Sequence, residues 1–362
     1  MEYFNWNKED IMNSNLSPYS KEILLGEING TPSSNDPNVP KNTPIFHLRE
    51  KHQYHEYLKK LYRDIPDLTL FIQHSYQHLD ISHYIYEEIP KIETTPEKLL
   101  KYTTSFYEFL GNIDILEQYN RLINQEGVLR IQPYNPNSQI CQNVNGRCLI
   151  DKDTGSAFLS YYIKGTLDDF STFTHETAHL VIETMLFEKM NSLIDKHFSE
   201  YAACYFQIIS YCFYSIYFDT PEIFPVLLHN NMLNIIDNIW YLHIQNLIMK
   251  RKIAKATPAY LKRELANEGI ETEGLFSKDE IAYFYNNPTK KIEAIAGFLM
   301  ALDSFVQNTP TFSEGVSKLL DTLTSPSTSA SELFQSNNIT FMEDNMHNFK
   351  ELYEKSLGIH LK

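Results

Sequence analysis

Apolar residues recur three and four positions apart over most of this chain, a period that predicts helices. From Ile45 to about Pro90 the pattern is long and amphipathic and reads as two helices. A third is signalled at 95–110: Thr95 can cap it, Pro96 suits the first helical position, and Gly111 follows as a stop. Leu99, Tyr102, Phe106, Phe109 and Leu110 then share a face. Between 129 and 164 the pattern changes to short β-prone runs broken by Asn, Gly and Pro, with AFLSYYI at 157–163 as the clearest strand. After Gly165 helical periodicity returns almost to the end, with breaks near Pro221, Pro258, Pro288, Pro310 and the SPSTSAS stretch at 325–331. Ahead of all this, 26–44 is proline-rich and polar, so residues 1–44 read as an N-terminal arm and loop.

The run from Tyr201 to Phe218 carries no charge. Its five tyrosines, its Gln and its serines, with Glu200 and Asp219 closing it tightly, favour a buried core helix over a membrane span. A chain of 362 residues has room for a large core, and high aromatic content (24 Tyr, 22 Phe) with only 12 Gly suits packed helices. A net charge of −15 argues against nucleic acid or an anionic membrane as partner, because phosphates would be repelled. The four cysteines form no Cys-x-x-Cys pair and no disulfide framework. The opening MEYFNWNKED has no basic stretch followed by an apolar one, so the expected location is cytoplasmic, with export by a signal-independent route left open. Oligomeric state is not legible.

The chemistry concentrates in 165–180, GTLDDFSTFTHETAHL. His175-Glu176-Thr177-Ala178-His179 is a His-Glu-x-x-His motif. On a helix, positions i and i+4 stand one above the other, so both imidazoles can reach one ion. Glu176 sits about 100° round from His175, placed to act as a base on water without being a ligand. The plain alternative is two histidines on the flank of an ordinary helix. Catalytic zinc commonly takes two His and one Glu. Glu200, at the head of the uncharged helix, could serve as the third ligand if that helix packs antiparallel to the motif helix. Glu183 and Glu188 compete for the role, but both follow His179 closely enough to ride on the motif helix, which favours Glu200. Asp168 precedes His175 by seven residues and shares its face. It either bonds to a ligand imidazole or, with Asp169, stabilises the helix N-terminus.

GTLDDFSTFTHETAHLV resembles the active-site helix of the thimet oligopeptidase and oligoendopeptidase F family of zinc metallopeptidases. AFLSYYI resembles that family's substrate-edge strand, and HFSEYAACYFQ the segment with its third zinc ligand, which places that role on Glu200. TPEKLLKYTTSFYEFLGN and STSASELFQSNNI extend the likeness over roughly 50–355. The resemblance implies a mainly α, two-lobed fold with a small sheet beside the active-site helix and a channel admitting short unstructured peptides. It also implies one zinc ion and endopeptidase activity. The chain then divides into the arm and one catalytic domain, 45–362, made of a helical lobe (45–128), the sheet (129–164) and the zinc-motif and C-terminal helices (165–362).

Three departures stand out. Ala178 replaces the family's Gly, and the family's long N-terminal helical region has no counterpart. In IAYFYNNPTKKIEAIAGFLMALDS, Tyr283 takes the place of a histidine that supports the oxyanion, with Tyr285 beside it. A phenol can donate to an oxyanion, so Tyr283 and Tyr285 are the candidate donors, although both residues also suit plain core packing. The weakened donor set keeps open a zinc-containing peptide-binding protein as an alternative, and the lack of the family's N-terminal region with the Asn/Lys/Tyr-rich composition keeps open a protease dedicated to one partner.

Overall fold

The computed structural model describes residues 7–29, 94–134, 145–151, 153–190, 196–251, 257–267, 277–278, 281, 290–308, 312–324 and 355. The helices expected over 45–90, the 325–331 stretch, Tyr283 and Tyr285 lie outside the described residues.

The described chain runs α1 (Lys8–Asn13), α2 (Pro18–Ile28), α3 (Pro96–Phe109), α4 (Ile113–Asn124), β1 (Leu129–Pro133), β2 (Gly146–Ile150) and β3 (Ala157–Ile163). It continues with α5 (Asp168–Met190), α6 (Lys196–Tyr217), α7 (Ile223–Arg251), α8 (Pro258–Asn267), α9 (Lys290–Asn308) and α10 (Phe312–Thr324). The fold is mainly α, with one small sheet among the described residues, as the periodicity predicts.

Contacts group the chain into two compact units. The first (Met1–Asp36, His83–Leu228, Ala296–Lys362) contains the sheet and the motif helix α5. The second (Pro37–Ser82, His229–Ile295) has its own apolar cluster, in which Ile244, Leu247 and Ile248 of α7 meet Tyr260, Leu261 and Leu265 of α8 and Ile281.

In the first unit the sheet order is β1-β3-β2, β3 pairing parallel with β1 and antiparallel with β2. Six of the seven β3 residues are buried, which explains why AFLSYYI reads as a nearly continuous apolar run. The likeness of AFLSYYI to an edge strand does not hold: β3 is central, its backbone engaged on both sides, and β2 forms an edge among the described residues.

The expected N-terminal arm is structured where it is described. Ile11 of α1 and Leu24 of α2 pack on Phe158 of β3. Asp151, just after β2, accepts from the Ser17 amide (3.0 Å) and the Ser20 hydroxyl (3.2 Å), pinning the start of α2 to the sheet.

Helix α3 begins and ends where its signals say. The Thr95 hydroxyl accepts from the Lys98 amide, Pro96 is the first residue, and Gly111 turns the chain with φ 68°. Its buried side is rotated from the expected stripe: Thr103 and Tyr107 are inside, and Phe109 is 38 % exposed. The cause is tertiary. Tyr107 stacks on Tyr119 of α4 and donates to Thr177 of α5, so α3 turns that edge toward the motif helix.

Helix α6 starts at Lys196, four residues ahead of Glu200, and is buried nearly all round, from Tyr201 through Tyr214 with only Gln207 less covered. Among the described residues no helix is long and apolar enough to cross a membrane.

Candidate metal centre

The centre is built where α5 and α6 cross. Their partners run in opposite order: His175 meets Gln207, Glu183 meets Ser199, and Thr174 meets Tyr214, so the helices are antiparallel. A sharp corner sets the start of α5. Gly165 takes φ 81°, and the buried Asp169 carboxylate accepts from the amides of Lys164 (3.1 Å), Gly165 (2.7 Å) and Thr166 (2.9 Å). The Tyr161 hydroxyl of β3 donates to the same carboxylate at 3.1 Å, so Asp169 ties strand to helix.

Along α5, Ala178 and Thr177 are fully buried, while His175 and His179 are partly open, with exposures of 16 % and 11 %. Their rings meet edge to face, and their Nε2 atoms are 3.1 Å apart. From α6, Glu200 brings Oε2 to 3.6 Å from Nε2 of His175 and Oε1 to 3.9 Å from Nε2 of His179. These three residues form a group of donors within 4.8 Å of one another. The donor chemistry fits zinc: Zn–N and Zn–O bonds of about 2.0–2.2 Å in a tetrahedron place neighbouring donors about 3.3–3.5 Å apart.

The two competing carboxylates are elsewhere. Glu188 pairs with Arg121 on the surface. Glu183 bonds to Nδ1 of His179, the ring nitrogen away from the convergence point.

The remote nitrogens have partners that spacing did not reveal. Nδ1 of His175 is 3.1 Å from Oε1 of Gln207. Nδ1 of His179 is 2.7 Å from the Ser199 hydroxyl and 3.1 Å from Oε1 of Glu183, and Ser199 donates to Glu183. Asp168, expected as a candidate for this role, is exposed in the first turn of α5, about 10 Å along the axis from His175. Gln207 was visible in the sequence only as a polar break in an apolar helix.

Glu176 lies under β2. A Cβ added to Gly146 would fall 2.7 Å from Cγ of Glu176 and 2.7 Å from the Tyr161 ring, so only glycine lets the strand approach this closely. Asn145 bonds to Tyr162 of β3 and Asp151 to Ser156 just before it, and the alternation leaves the backbones of Gly146 and Cys148 facing away from β3. The Cys148 amide accordingly donates to Glu176.

Charge follows burial and neighbours. Burial lifts Glu176 to about 7, with Glu200 and Glu183 adding to the rise against the pull of His179 and the Cys148 amide. Burial and neighbouring His179 press His175 down to about 3. Burial also opposes protonation of His179, but the Glu183 bond and the carboxylates of Glu200 and Glu176 outweigh it and raise that ring to about 9.

Three solved structures share the fold. A protein described as an oligoendopeptidase F matches with a TM-score of 0.64 at 11 % identity, over 94 % of this chain and 63 % of that one. A second protein described as an oligoendopeptidase F, from Bacillus anthracis str. Ames, gives 0.61 at 12 %, over 93 % and 62 %. PZ peptidase A, solved with an inhibitor, gives 0.60 at 12 %, over 83 % and 58 %. The chain therefore spans about three fifths of the length of the structures it matches, with their fold as the shared property. No family model and no curated protein matches the sequence.

Proposed function

We propose that this chain is a zinc-dependent endopeptidase acting on short, unstructured peptides. The carrying observation is the convergence of His175, His179 and Glu200 from two helices, with the half-buried Glu176 beside them. Those three side chains would hold the ion, which when bound supplies Lewis acidity toward a carbonyl and acidifies water. Oligoendopeptidase F and PZ peptidase structures share this fold, which agrees with the reading.

Glu176 serves as the base. A carboxylate near 7 is matched to proton transfer at neutral pH, because it is ionised often enough to accept and acidic enough to give back. Its oxygen takes a proton from the attacking water and delivers it to the leaving amine nitrogen. The Cys148 amide orients the carboxylate, and Gly146 keeps the strand close enough to do so. An extended peptide would lie along the outward edge of β2, where backbone groups other than the Cys148 amide can pair with a strand. Tyr283 and Tyr285 are the proposed donors to the oxyanion.

Glu176→Gln tests the reading. The variant is expected to retain stoichiometric zinc and to lose hydrolysis of a quenched peptide library by at least about 10²-fold, the lower range for a general base. Undiminished turnover in Glu176→Gln would remove Glu176 from the mechanism, and a zinc-free wild type that cleaves peptides would remove the metal.

A further inference from the structure

The two histidines of the centre are held by unlike partners, and the difference has chemical content. A ring nitrogen ligates a metal only through its lone pair, so the other nitrogen must carry the proton. Gln207, beside His175, is an amide: one rotation exchanges its acceptor oxygen for a donor nitrogen, so it can stabilise either tautomer. Glu183 beside His179 is a carboxylate and, when ionised, can only accept.

Ser199 completes the arrangement. Its hydroxyl donates to Oε1 of Glu183, which turns the Ser199 lone pairs toward Nδ1 of His179 at 2.7 Å. The proton on Nδ1 therefore faces two acceptors, and once the ring gives up its second proton Nε2 presents its lone pair toward His175 and Glu200. All three side chains are largely covered: His179 is 11 % exposed, Glu183 21 %, and Ser199 is buried. In such surroundings charged hydrogen bonds are strong and well oriented. The arrangement also joins the helices that carry the ligands, with Glu183 one turn beyond His179 on α5 and Ser199 adjacent to Glu200 on α6.

We propose that Glu183 and Ser199 are positioning residues that clamp Nδ1 of His179, making this imidazole the anchor of metal retention while Gln207 gives His175 a weaker, reversible hold. The inference rests on the reading of His175, His179 and Glu200 as metal ligands.

The experiment measures zinc affinity by chelator competition, and zinc release rate, for the full chain and for Glu183→Gln, Ser199→Ala and Gln207→Glu. Glu183→Gln is expected to weaken zinc binding about 10–100-fold and speed release, Ser199→Ala to do so less. Gln207→Glu, which gives His175 a carboxylate partner too, is expected to bind zinc several-fold more tightly. Thermal midpoints of the metal-free proteins separate positioning from mere structural support, and the cobalt-substituted spectrum should shift in Glu183→Gln. Zinc affinity and release in Glu183→Gln equal to wild type would overturn the clamp while leaving the peptidase reading intact. If Glu183→Gln fails to fold, Gln207→Glu decides: unchanged or weaker zinc binding overturns the proposal. Wild type that takes up no zinc would overturn the metal reading itself, and the clamp with it.

Discussion

Gly297 of α9 stands directly against Glu200 of α6. A Cβ built on Gly297 would lie 2.6 Å from Cβ of Glu200, 2.7 Å from its carbonyl carbon and 2.8 Å from the Tyr201 amide nitrogen. Two turns further along α9, the Ser304 hydroxyl bonds to that of Tyr201 at 2.8 Å, so the same face holds α6 twice. The close approach involves backbone, which cannot swing aside as a flexible side chain would.

The first prediction is that Gly297→Ala separates α6 from α9 and draws Glu200 away from the imidazoles. Overpacking of this kind costs about 1–3 kcal/mol, to be read from urea denaturation, and zinc affinity should fall with it. Wild-type stability together with wild-type zinc affinity would show that the helices have slack there.

The second concerns pH. In the metal-free protein His179 holds its proton to about 9, whereas His175, at about 3, is neutral over the working range. On the proposed reading, a metal bound by these residues would have to displace a proton from His179 at neutral pH. Apparent zinc affinity is expected to rise about tenfold per pH unit from 7 and to level off near 9, with about one proton released on binding at pH 7. The sign is set by the raised value: protonation of His179 favours the metal-free state below about 9 and ceases to do so above it. Calorimetry in buffers of different ionisation enthalpy counts the protons; none released at pH 7 would contradict this.

The third compares neighbours. Asp169 accepts three backbone amides and the Tyr161 hydroxyl at the strand-to-helix corner, while Asp168 is exposed. Asp169→Asn removes a charged acceptor and is expected to cost about 1.5–3 kcal/mol of stability, with a lower thermal midpoint. Asp168→Asn, which removes a charge from the first turn of the helix, should cost at most about 1 kcal/mol. Equal losses in the two variants would mean that the corner does not depend on the Asp169 carboxylate.

What was legible in the sequence was whatever depends on short range. The helical spacing of His175 and His179, the cap and stop of α3, the strand at 157–163 and the buried character of α6 all follow from residues within a few positions of one another, whose geometry the backbone period sets. Even Glu200 could be nominated, since a carboxylate heading an uncharged helix is conspicuous.

Only tertiary structure chose among chemically equivalent candidates. Spacing favours Asp168, which shares the face of His175, but it is exposed, and the corner at Gly165 turns Asp169 inward instead. AFLSYYI resembles an edge strand, and pairing on both sides makes it the centre. Gln207, Glu183 and Ser199 find the imidazoles because α5 and α6 cross antiparallel at one register. Gly146 and Gly297 matter because a strand and a helix press on Glu176 and Glu200 from segments far away along the chain. Local period dictates where a side chain can point; what it meets there is set by packing between distant segments, and that packing places the partners on which the chemistry of the centre depends.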